Sequence, residues 1–383
     1  MRRRQPSASE LLEAVPEGTV LLILYLVAGT PPRMLCTIVT REGVVMSTQP
    51  ILVGDELGVI DPALPAINTF EAATLMLRRG IQEDPGTRIV AQAAGTFLEG
   101  WPEKALGPAL DMLRQLHDRG FRHLVVVPDG ALHVFPFHLI GPVGRPLCED
   151  WLVTFMPSPF ALAAISAPRR RFRQARAVAL GIDFVDYPDT SVSGRAGDSN
   201  NQQFTPLPDA VTEAYSVAEA AEGTALTNRE ATKTALATAL EEARWVHVAT
   251  HGTSNAYAPS FNSLAVWPDG DNGRLASYEL LGLDLRDLDL VTLSACETAL
   301  GRFDVADNVR GLAATLLRAG TRSVIGTLWP VESMTSAFFF TSLYRSLGQG
   351  APTSVAFRNA QAATRVAHPA YRDWGAFTLI GSW

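Results

Sequence analysis

The sequence contains few cysteines. Only three occur among the 383 residues, Cys36, Cys148 and Cys296, and they are far apart with no CxxC pair. A disulfide framework normally shows an even set of cysteines, and a structural zinc site needs closely spaced ligand pairs. We therefore expect no disulfides, no metal site and no cofactor. A reducing compartment, the cytoplasm, suits this pattern best.

Basic charge is also scarce. The chain has 32 Lys and Arg residues against 39 Asp and Glu, a formal net charge of −7 and a pI near 5.6. Proteins that bind nucleic acid in general carry a basic face that neutralises phosphates, so we expect no nucleic-acid partner, although a local patch could still bind RNA. Neither GxxxxGK[ST] nor a strand-linked GxGxxG occurs, which disfavours a nucleotide-binding enzyme. A calorimetric titration with nucleotides would test that alternative.

No apolar run is long enough to cross a bilayer. The longest run near the amino terminus, residues 20–28, is far shorter than the ~20 residues that a spanning helix needs. A signal peptide is disfavoured because Glu10, Glu13 and Glu17 separate the basic start from that run. Residues 20–28 and 34–48 are instead rich in β-branched residues and flank the turn formers GTPPR, which predicts a β-hairpin. No membrane partner is expected.

Turn signals and composition divide the chain into three regions. Apolar residues at three- and four-residue spacing predict helices over 67–79 and 103–119. The basic stretch 168–176 then separates two halves, and residues 186–208, rich in Asp, Ser, Gly, Asn and Pro, form a surface loop. We predict an N-terminal hairpin region at 1–60, a second region at 61–170 and a third at 171–383.

The third region alternates strands and helices. Helices are predicted over 209–221, 229–243, 308–319, 333–348 and 352–367, and strands over 244–250, 287–294, 322–329 and 375–380. Strands separated by helices form a mostly parallel sheet with helices on both faces. The predicted fold class is therefore α/β.

Two predicted strands end in residues that carry chemistry. WVHVATHG leads to His251 and Gly252, and LVTLSACETALG leads to Cys296. The 45 residues between them (296 − 251) leave room for one excursion between neighbouring strands, so both side chains can meet at one sheet edge. An imidazole beside a thiol takes its proton or stabilises the thiolate, which is the nucleophile. The N–H groups of Gly252 and Cys296 would form an oxyanion hole.

Each of these residues also has a structural interpretation. A lone cysteine after an apolar run is usually a small core residue, and a histidine at a strand end is more often a surface or capping residue, the role we assign to His247. The combination is more specific than its parts. In caspases a histidine precedes the cysteine by about 50 residues, as it does here. We therefore predict a catalytic dyad of His251 and Cys296.

Four blocks of the sequence resemble the CHAT family, bacterial relatives of caspases and separases. They are VVVPDGALHVFPFHLI, WVHVATHG, LVTLSACETALG and the tail from GLAATLLRAGTRSVIGTLWP to AFTLIGSW, and the resemblance spans about residues 60–383. It implies a caspase-like α/β fold in which an inert half precedes an active half. It also implies a cysteine endopeptidase that cuts a protein substrate with the His251–Cys296 dyad.

The resemblance has one departure and leaves one alternative. Members of the family often carry a helical repeat array that senses an activating signal, and this chain shows no such repeat, which implies a separate sensor or activator protein. A role in bacterial defence or cell death is a further implication. The alternative function is a catalytically silent interaction module of the same fold, and the presence of both Cys296 and His251 argues against it.

Four residues are candidates for the substrate pocket. Asp183, at the end of AVALGID, would favour Arg or Lys before the cleaved bond, although a cap or turn explains it equally well. Glu297 and Asp304 follow the predicted nucleophile, and Glu297 also suits a role in holding the loop. Trp329 either walls the pocket or packs in the core.

Overall fold

The computed structural model describes residues 7–27, 33–48, 106–141, 145–162, 177–188, 204–253, 258–294 and 311–382. These residues form two compact units. Unit 1 takes its described residues from Met1–Pro168 and His368–Trp383, and unit 2 takes them from Arg169–Arg302 and Arg310–Ala367. The sequence-based division at residues 60 and 170 stays a prediction. The predicted helix over 67–79 lies outside the described residues.

Unit 1 begins with a helix and three strands and continues with two helix–strand pairs. Its first elements are α1 (Ala8–Glu13), β1 (Thr19–Val27), β2 (Arg33–Thr40), β3 (Gly43–Thr48), α2 (106–118), β4 (His123–Val127), α3 (Leu147–Asp150) and β5 (Leu152–Phe155). Two short 3-10 helices, Gly130–Val134 and Phe137–Leu139, lie between β4 and α3. α2 confirms the described part of the helix predicted over 103–119.

The predicted amino-terminal hairpin is confirmed. β1 and β2 pair antiparallel, with Leu24 opposite Cys36. The prediction that residues 34–48 form one arm is wrong, because the chain turns at Arg41 and Glu42 and returns as β3. Gly43, which begins β3, has a φ of 128°, a backbone conformation that glycine adopts without the steric cost of a Cβ.

Unit 2 has the alternating α/β order that the sequence predicts. Its elements are β6 (Ala177–Gly181), α4 (Ala210–Ala220), β7 (Thr224–Thr227), α5 (Lys233–Glu242), β8 (Trp245–Ala249), β9 (Gly252–Thr253), β10 (Ser263–Ala265), β11 (Arg274–Ala276), α6 (Ser277–Leu280), β12 (Leu290–Ser294), α7 (Leu312–Ala319), β13 (Ser323–Thr327), α8 (Ser333–Gly348) and α9 (Thr353–Ala367). The predicted helices and strands of this region are therefore confirmed within a few residues at their ends.

The main sheet of unit 2 is parallel. Its strand order is β13-β12-β8-β6-β7. All five residues of β8 are buried, as expected of a central strand covered on both faces. Because parallel strands end at one edge of the sheet, the residues that follow β6, β8 and β13 gather there, and β12 ends at the same edge.

A second, small sheet follows β8. β9, β10 and β11 pair antiparallel, with Leu264 opposite both Gly252 and Leu275. The sequence did not predict these strands. Each has only two or three residues, fewer than the four that an alternating pattern needs to be recognised.

The chain ends in unit 1, with α10 (Tyr371–Trp374) and β14 (Phe377–Gly381). The strand order in this unit is β3-β2-β1-β4-β5-β14. β4 pairs parallel with both β1 and β5, and β14 is parallel to β5 with Ile380 opposite Phe155. A core cluster packs on this sheet, formed by Val15, Leu21, Val39, Val125, Val127, Met156 and Leu162.

Candidate active site

His251 lies at the carboxyl edge of the parallel sheet of unit 2. β8 ends at Ala249, and Ala249 is directly opposite Ser294, the last residue of the neighbouring strand β12. His251 follows Ala249 by two residues, and in the sequence Cys296 follows Ser294 by two residues. His251 and Cys296 therefore each follow, by two residues, a member of the directly paired positions Ala249 and Ser294.

One nitrogen of His251 is fixed by a backbone carbonyl. His251 Nε2 lies 2.7 Å from the oxygen of Thr205. A carbonyl oxygen only accepts hydrogen bonds, so Nε2 carries a proton and donates it. Nδ1 is then the nitrogen that gains or loses a proton when the ring acts as an acid or a base.

Aromatic rings hold the His251 imidazole in place. The Phe204 ring stacks on it with centroids 5.1 Å apart and an interplanar angle of 13°, and the Phe184 ring lies 4.8 Å away. The guanidinium of Arg274 lies 5.1 Å from the Phe204 centroid. Phe204 and Thr205 are consecutive, so one short segment sets both the plane and the rotation of the imidazole.

Tyr187 connects this aromatic cluster to the small sheet. Its ring is 4.8 Å from Phe184, and its hydroxyl donates to the Val266 carbonyl at 2.7 Å. Burial raises the pKa of Tyr187 to about 12, opposed by the charge of Arg274 and supported by that of Asp271. Burial also lowers the pKa of Arg274. The hydroxyl of Tyr187 therefore acts as a neutral hydrogen-bond donor.

The backbone N–H of Gly252 points away from the small sheet. Ala265 N–H donates to the carbonyl of His251 at 2.9 Å, which makes His251 and Ala265 a hydrogen-bonded pair. Such pairs alternate with non-hydrogen-bonded pairs in an antiparallel ladder, and Gly252 opposite Leu264 is the next pair. The Gly252 N–H is thus directed away from β10.

A narrow cavity of about 70 Å³ opens beside His251. Ser294 Oγ and Ser336 Oγ lie 2.8 Å apart in its wall. Its described lining residues are Leu207, Ala210, Glu213, Ala249, Thr250, His251, Ser294, Thr327, Val331, Ser333 and Ser336. We call it the Glu213 cavity, because Glu213 is the acidic residue in this lining.

Glu213 lies against a buried chain of polar side chains. Its Oε1 is 3.0 Å from His247 Nε2, although the contact lacks the alignment of a hydrogen bond. His247 Nδ1 is 2.8 Å from Thr292 Oγ1, which is 2.9 Å from the hydroxyl of Tyr344. Burial raises the pKa of Tyr344, and the bond to Thr292 opposes that effect. The surface or capping role that we predicted for His247 is wrong, because its side chain is fully buried.

The sequence-predicted pocket residues have different surroundings. Asp183 Oδ2 accepts from the side-chain amide of Asn228 at 2.9 Å, and Oδ1 accepts from the N–H of Val185 at 3.0 Å. Asp183 is not among the described residues lining the Glu213 cavity. Trp329 is fully buried. Cys296, Glu297 and Asp304 lie outside the described residues, so their predicted roles stay predictions.

Three residues of the site were not singled out from the sequence, although the sequence contained signals for two of them. Glu213 lies on the buried stripe of α4 with Ala210, Ala214 and Val217, and a glutamate on such a stripe is unusual. Phe204 is one of only two aromatic residues in the polar stretch 186–208. Thr205 contributes a backbone carbonyl, and no side-chain pattern marks a backbone contact.

The described residues contain neither a candidate metal site nor a candidate membrane-spanning helix. No group of three or more His, Cys, Asp and Glu side chains there is arranged to hold a metal ion. No helix in the same ranges combines the length and apolarity that crossing a membrane requires.

Curated relatives of the chain are much longer proteins. Tetratricopeptide repeat protein 28 of mouse and its human counterpart are each 28% identical over 305 residues, which cover 68% of this chain and 12% of theirs. The chain thus spans about an eighth of the length of these relatives.

One solved structure, that of separase, shares the fold of this chain at low sequence identity. The separase–securin complex of Saccharomyces cerevisiae matches with a TM-score of 0.54 and 11% identity over 98% of this chain and 30% of that chain. The Arg-specific cysteine proteinase gingipain R matches with a TM-score of 0.48 and 11% identity over 82% of this chain and 75% of that chain. The mixed α/β fold with its mostly parallel strands and flanking helices is therefore caspase-like.

A family comparison covers most of the sequence. The sequence profile described as the CHAT domain matches residues 103–382, well over half of the 383 residues. The matched range includes β4, every strand of unit 2 and β14. The chain therefore belongs to the CHAT domain family.

Proposed function

We propose that the protein is a cysteine endopeptidase that cuts a protein partner with Cys296 as nucleophile and His251 as general base and acid. The observation that carries this proposal is the bond from His251 Nε2 to the Thr205 carbonyl. It leaves Nδ1 as the basic nitrogen of an imidazole whose backbone position lies beside β12, the strand that leads to Cys296.

The reaction then follows ordinary thiol chemistry. Nδ1 of His251 accepts the proton of the Cys296 thiol, and the thiolate attacks the scissile carbonyl carbon. The N–H groups of Gly252 and Cys296 stabilise the negative oxygen of the tetrahedral intermediate. As the C–N bond breaks, the imidazolium returns its proton to the leaving amine. Water, deprotonated by the same nitrogen, hydrolyses the thioester and restores the free thiol.

Family membership and fold support the reaction class, and two finer parts of the proposal rest on resemblance. A protein substrate suits a caspase-like fold, and a separate sensor or activator protein is proposed from the resemblance to the family. A cytoplasmic effector role in bacterial defence or cell death is proposed on the same basis.

The experiment compares cleavage of a proteome-derived peptide library by the wild-type chain and by Cys296→Ala, read by mass spectrometry. Loss of either dyad member is expected to reduce cleavage at least ~1000-fold, so His251→Ala serves as a second variant. Cys148→Ala is the matched control, because Cys148 is half-buried in unit 1 and should leave the cuts unchanged.

A thiol-reactive probe distinguishes an unactivated enzyme from a silent module. Selective labelling of Cys296, lost in Cys296→Ala and reduced in His251→Ala, indicates an activated thiol that awaits a partner. Cuts that persist in Cys296→Ala would contradict the proposal. So would absence of both cleavage and selective labelling, which is the result expected of a catalytically silent interaction module.

A further inference from the structure

The Glu213 cavity combines one buried acid with hydroxyl and apolar walls. Glu213 is 3% exposed, and the other described lining residues besides His251 are small apolar residues or carry hydroxyls. Such a lining suits a ligand with an apolar stem and a cationic end. The cavity opens beside His251, so a ligand group that enters it lies next to the catalytic imidazole.

The Glu213 carboxylate has acceptor capacity left for a ligand. A carboxylate offers about four acceptor positions on its two oxygens. The contact from Oε1 to His247 Nε2, 3.0 Å long and poorly aligned, uses at most one of them. Oxygens of Ser294 and Ser336, 2.8 Å apart in the same wall, provide further acceptors. Glu213 and the two serines line the same cavity and together offer at least three acceptor oxygens, as many as an ammonium ion has donors.

The size of the cavity selects among cationic side chains. One water needs about 10–15 Å³ of such space, so about 70 Å³ holds roughly five to seven water-sized groups, and a side chain with five such atoms fits over this whole range. The side chain of lysine has five non-hydrogen atoms, whereas that of arginine has seven and ends in a wide planar group. The cavity therefore fits lysine better than arginine.

We propose that the Glu213 cavity binds the side chain of a lysine that precedes the scissile bond, with Glu213 as the residue that determines this specificity. The inference rests on the proposed peptidase function. It differs from the sequence-based assignment to Asp183, whose two oxygens already accept from Asn228 and from the N–H of Val185.

Side-chain analogues test the cavity independently of catalysis. The probes are n-butylammonium, n-propylguanidinium and neutral n-butanol, measured by ligand-observed NMR on the full chain carrying Cys296→Ala. We expect n-butylammonium to bind at least tenfold more tightly than either of the other probes. Adding Glu213→Gln should remove that advantage and leave n-butanol binding unchanged, because the amide has nearly the same shape without the charge.

A conservative variant keeps the test informative if Glu213→Gln disturbs packing. Glu213→Asp retains the charge and lengthens the cavity by one methylene, so it should keep a preference for cations and shift it toward n-propylguanidinium. In the Cys296→Ala chain, equal n-butylammonium affinity with and without Glu213→Gln, or no cation preference while Glu213 is present, would overturn the inference.

Cleavage assays separate the two proposals. Matched peptides with lysine, norleucine or arginine before the cut should give a kcat/KM at least tenfold higher for lysine than for norleucine, and Glu213→Gln should bring the ratio near one. Equal rates for lysine and norleucine in wild type would overturn the cavity assignment while leaving the peptidase intact. Selective n-butylammonium binding with neither Cys296-dependent cleavage nor selective labelling of Cys296 would instead overturn the peptidase proposal.

Discussion

His251 donates from Nε2 to the carbonyl oxygen of Thr205, 2.7 Å away, while the ring of Phe204, the residue before Thr205, stacks on the imidazole. The two contacts act on different degrees of freedom. The hydrogen bond selects which nitrogen carries the fixed proton, and the stacking selects the plane in which the other nitrogen lies. A general base needs both, because proton transfer depends on the direction of the nitrogen lone pair.

Replacing Phe204 should therefore reduce turnover more than binding. In Phe204→Ala the imidazole loses its stacked neighbour, whose centroid lies 5.1 Å away, and we expect kcat to fall about tenfold with KM changed less than about twofold, because small misplacements of catalytic groups are costly. Steady-state kinetics on a peptide identified in the library measures this split. Phe204→Tyr keeps the ring and should retain wild-type kcat. A rise in KM alone would show that Phe204 contacts substrate instead.

Thr292 connects the buried polar side chains behind the site. Its hydroxyl lies 2.8 Å from His247 Nδ1 and 2.9 Å from the Tyr344 hydroxyl. Thr292→Val keeps the shape and leaves two buried polar groups without this partner, so the free energy of unfolding should fall by about 2–4 kcal/mol. Urea unfolding measures the change. The matched control is Thr224→Val on β7, where the exposed side chain should change the value by less than about 0.5 kcal/mol. Equal effects of the two variants would contradict the role of Thr292.

Two buried histidines of unit 1 should make its stability depend on pH. Burial lowers the pKa of His138 to about 4, partly opposed by its bond to the Gly375 carbonyl, and burial lowers that of His123 to about 3. The unfolded chain binds these protons near pH 6.5, so the stabilisation is complete above that pH. It is lost as the pH falls toward the folded-state values.

Each histidine should contribute a slope of up to about 1.4 kcal/mol per pH unit between pH 6 and pH 4.5. Urea unfolding across pH 4.5–8 measures the slope. His138→Gln, whose amide can still donate to the Gly375 carbonyl, should reduce the slope of stability against pH by the contribution of one titrating proton, up to about 1.4 kcal/mol per pH unit. An unchanged slope in that variant would show that His138 does not titrate between the folded and unfolded states.

Periodicity predicted the elements of unit 2 well, because long helices and buried strands repeat their apolar residues over many positions. α8, for example, begins and ends at the predicted residues, Ser333 and Gly348. The role of His247 could not be predicted in the same way. In a central strand buried on both faces no alternation marks which side a polar residue faces. Its partners, Glu213 and Thr292, are 34 and 45 residues away in the sequence, and only the packing of α4 and the register of β12 bring them together.

The candidate site shows the same limit. His251 and Gly252 could be proposed for the site from the sequence, because the end of a strand and the residue types that follow it are both visible in the local sequence. Asp183 was predicted for the pocket from its position after β6, with a cap or turn as an equal alternative. Its oxygens accept from Asn228 and from a neighbouring backbone N–H, and its pocket role stays a prediction. These contacts are needed to tell an acidic residue that lines a pocket from one that holds a loop. The position of an aspartate after a strand does not reveal them.

α4 approaches β6 closely at Gly181. A Cβ at this residue would lie 2.3 Å from the carbonyl oxygen of Ala210 and 2.8 Å from the Cβ of Ala214, so Gly181→Ala forces the start of α4 away from the sheet. Ala210 and Glu213 line the cavity from that helix. We expect a loss of about 1–3 kcal/mol in the free energy of unfolding, the usual cost of overpacking, together with weaker n-butylammonium binding.

The matched control for Gly181→Ala is Gly107→Ala. Gly107 lies in α2, and a Cβ at this residue would have no atom within 4 Å apart from its chain neighbours and the nearby backbone of its own helix. Alanine there should therefore raise the free energy of unfolding by up to about 1 kcal/mol through its higher helix propensity. Urea unfolding of both variants gives the comparison. Opposite signs are expected because the same added methyl group meets backbone in one unit and open space in the other. Stability and probe binding that both stay at wild-type values in Gly181→Ala would show that α4 can shift without moving Glu213.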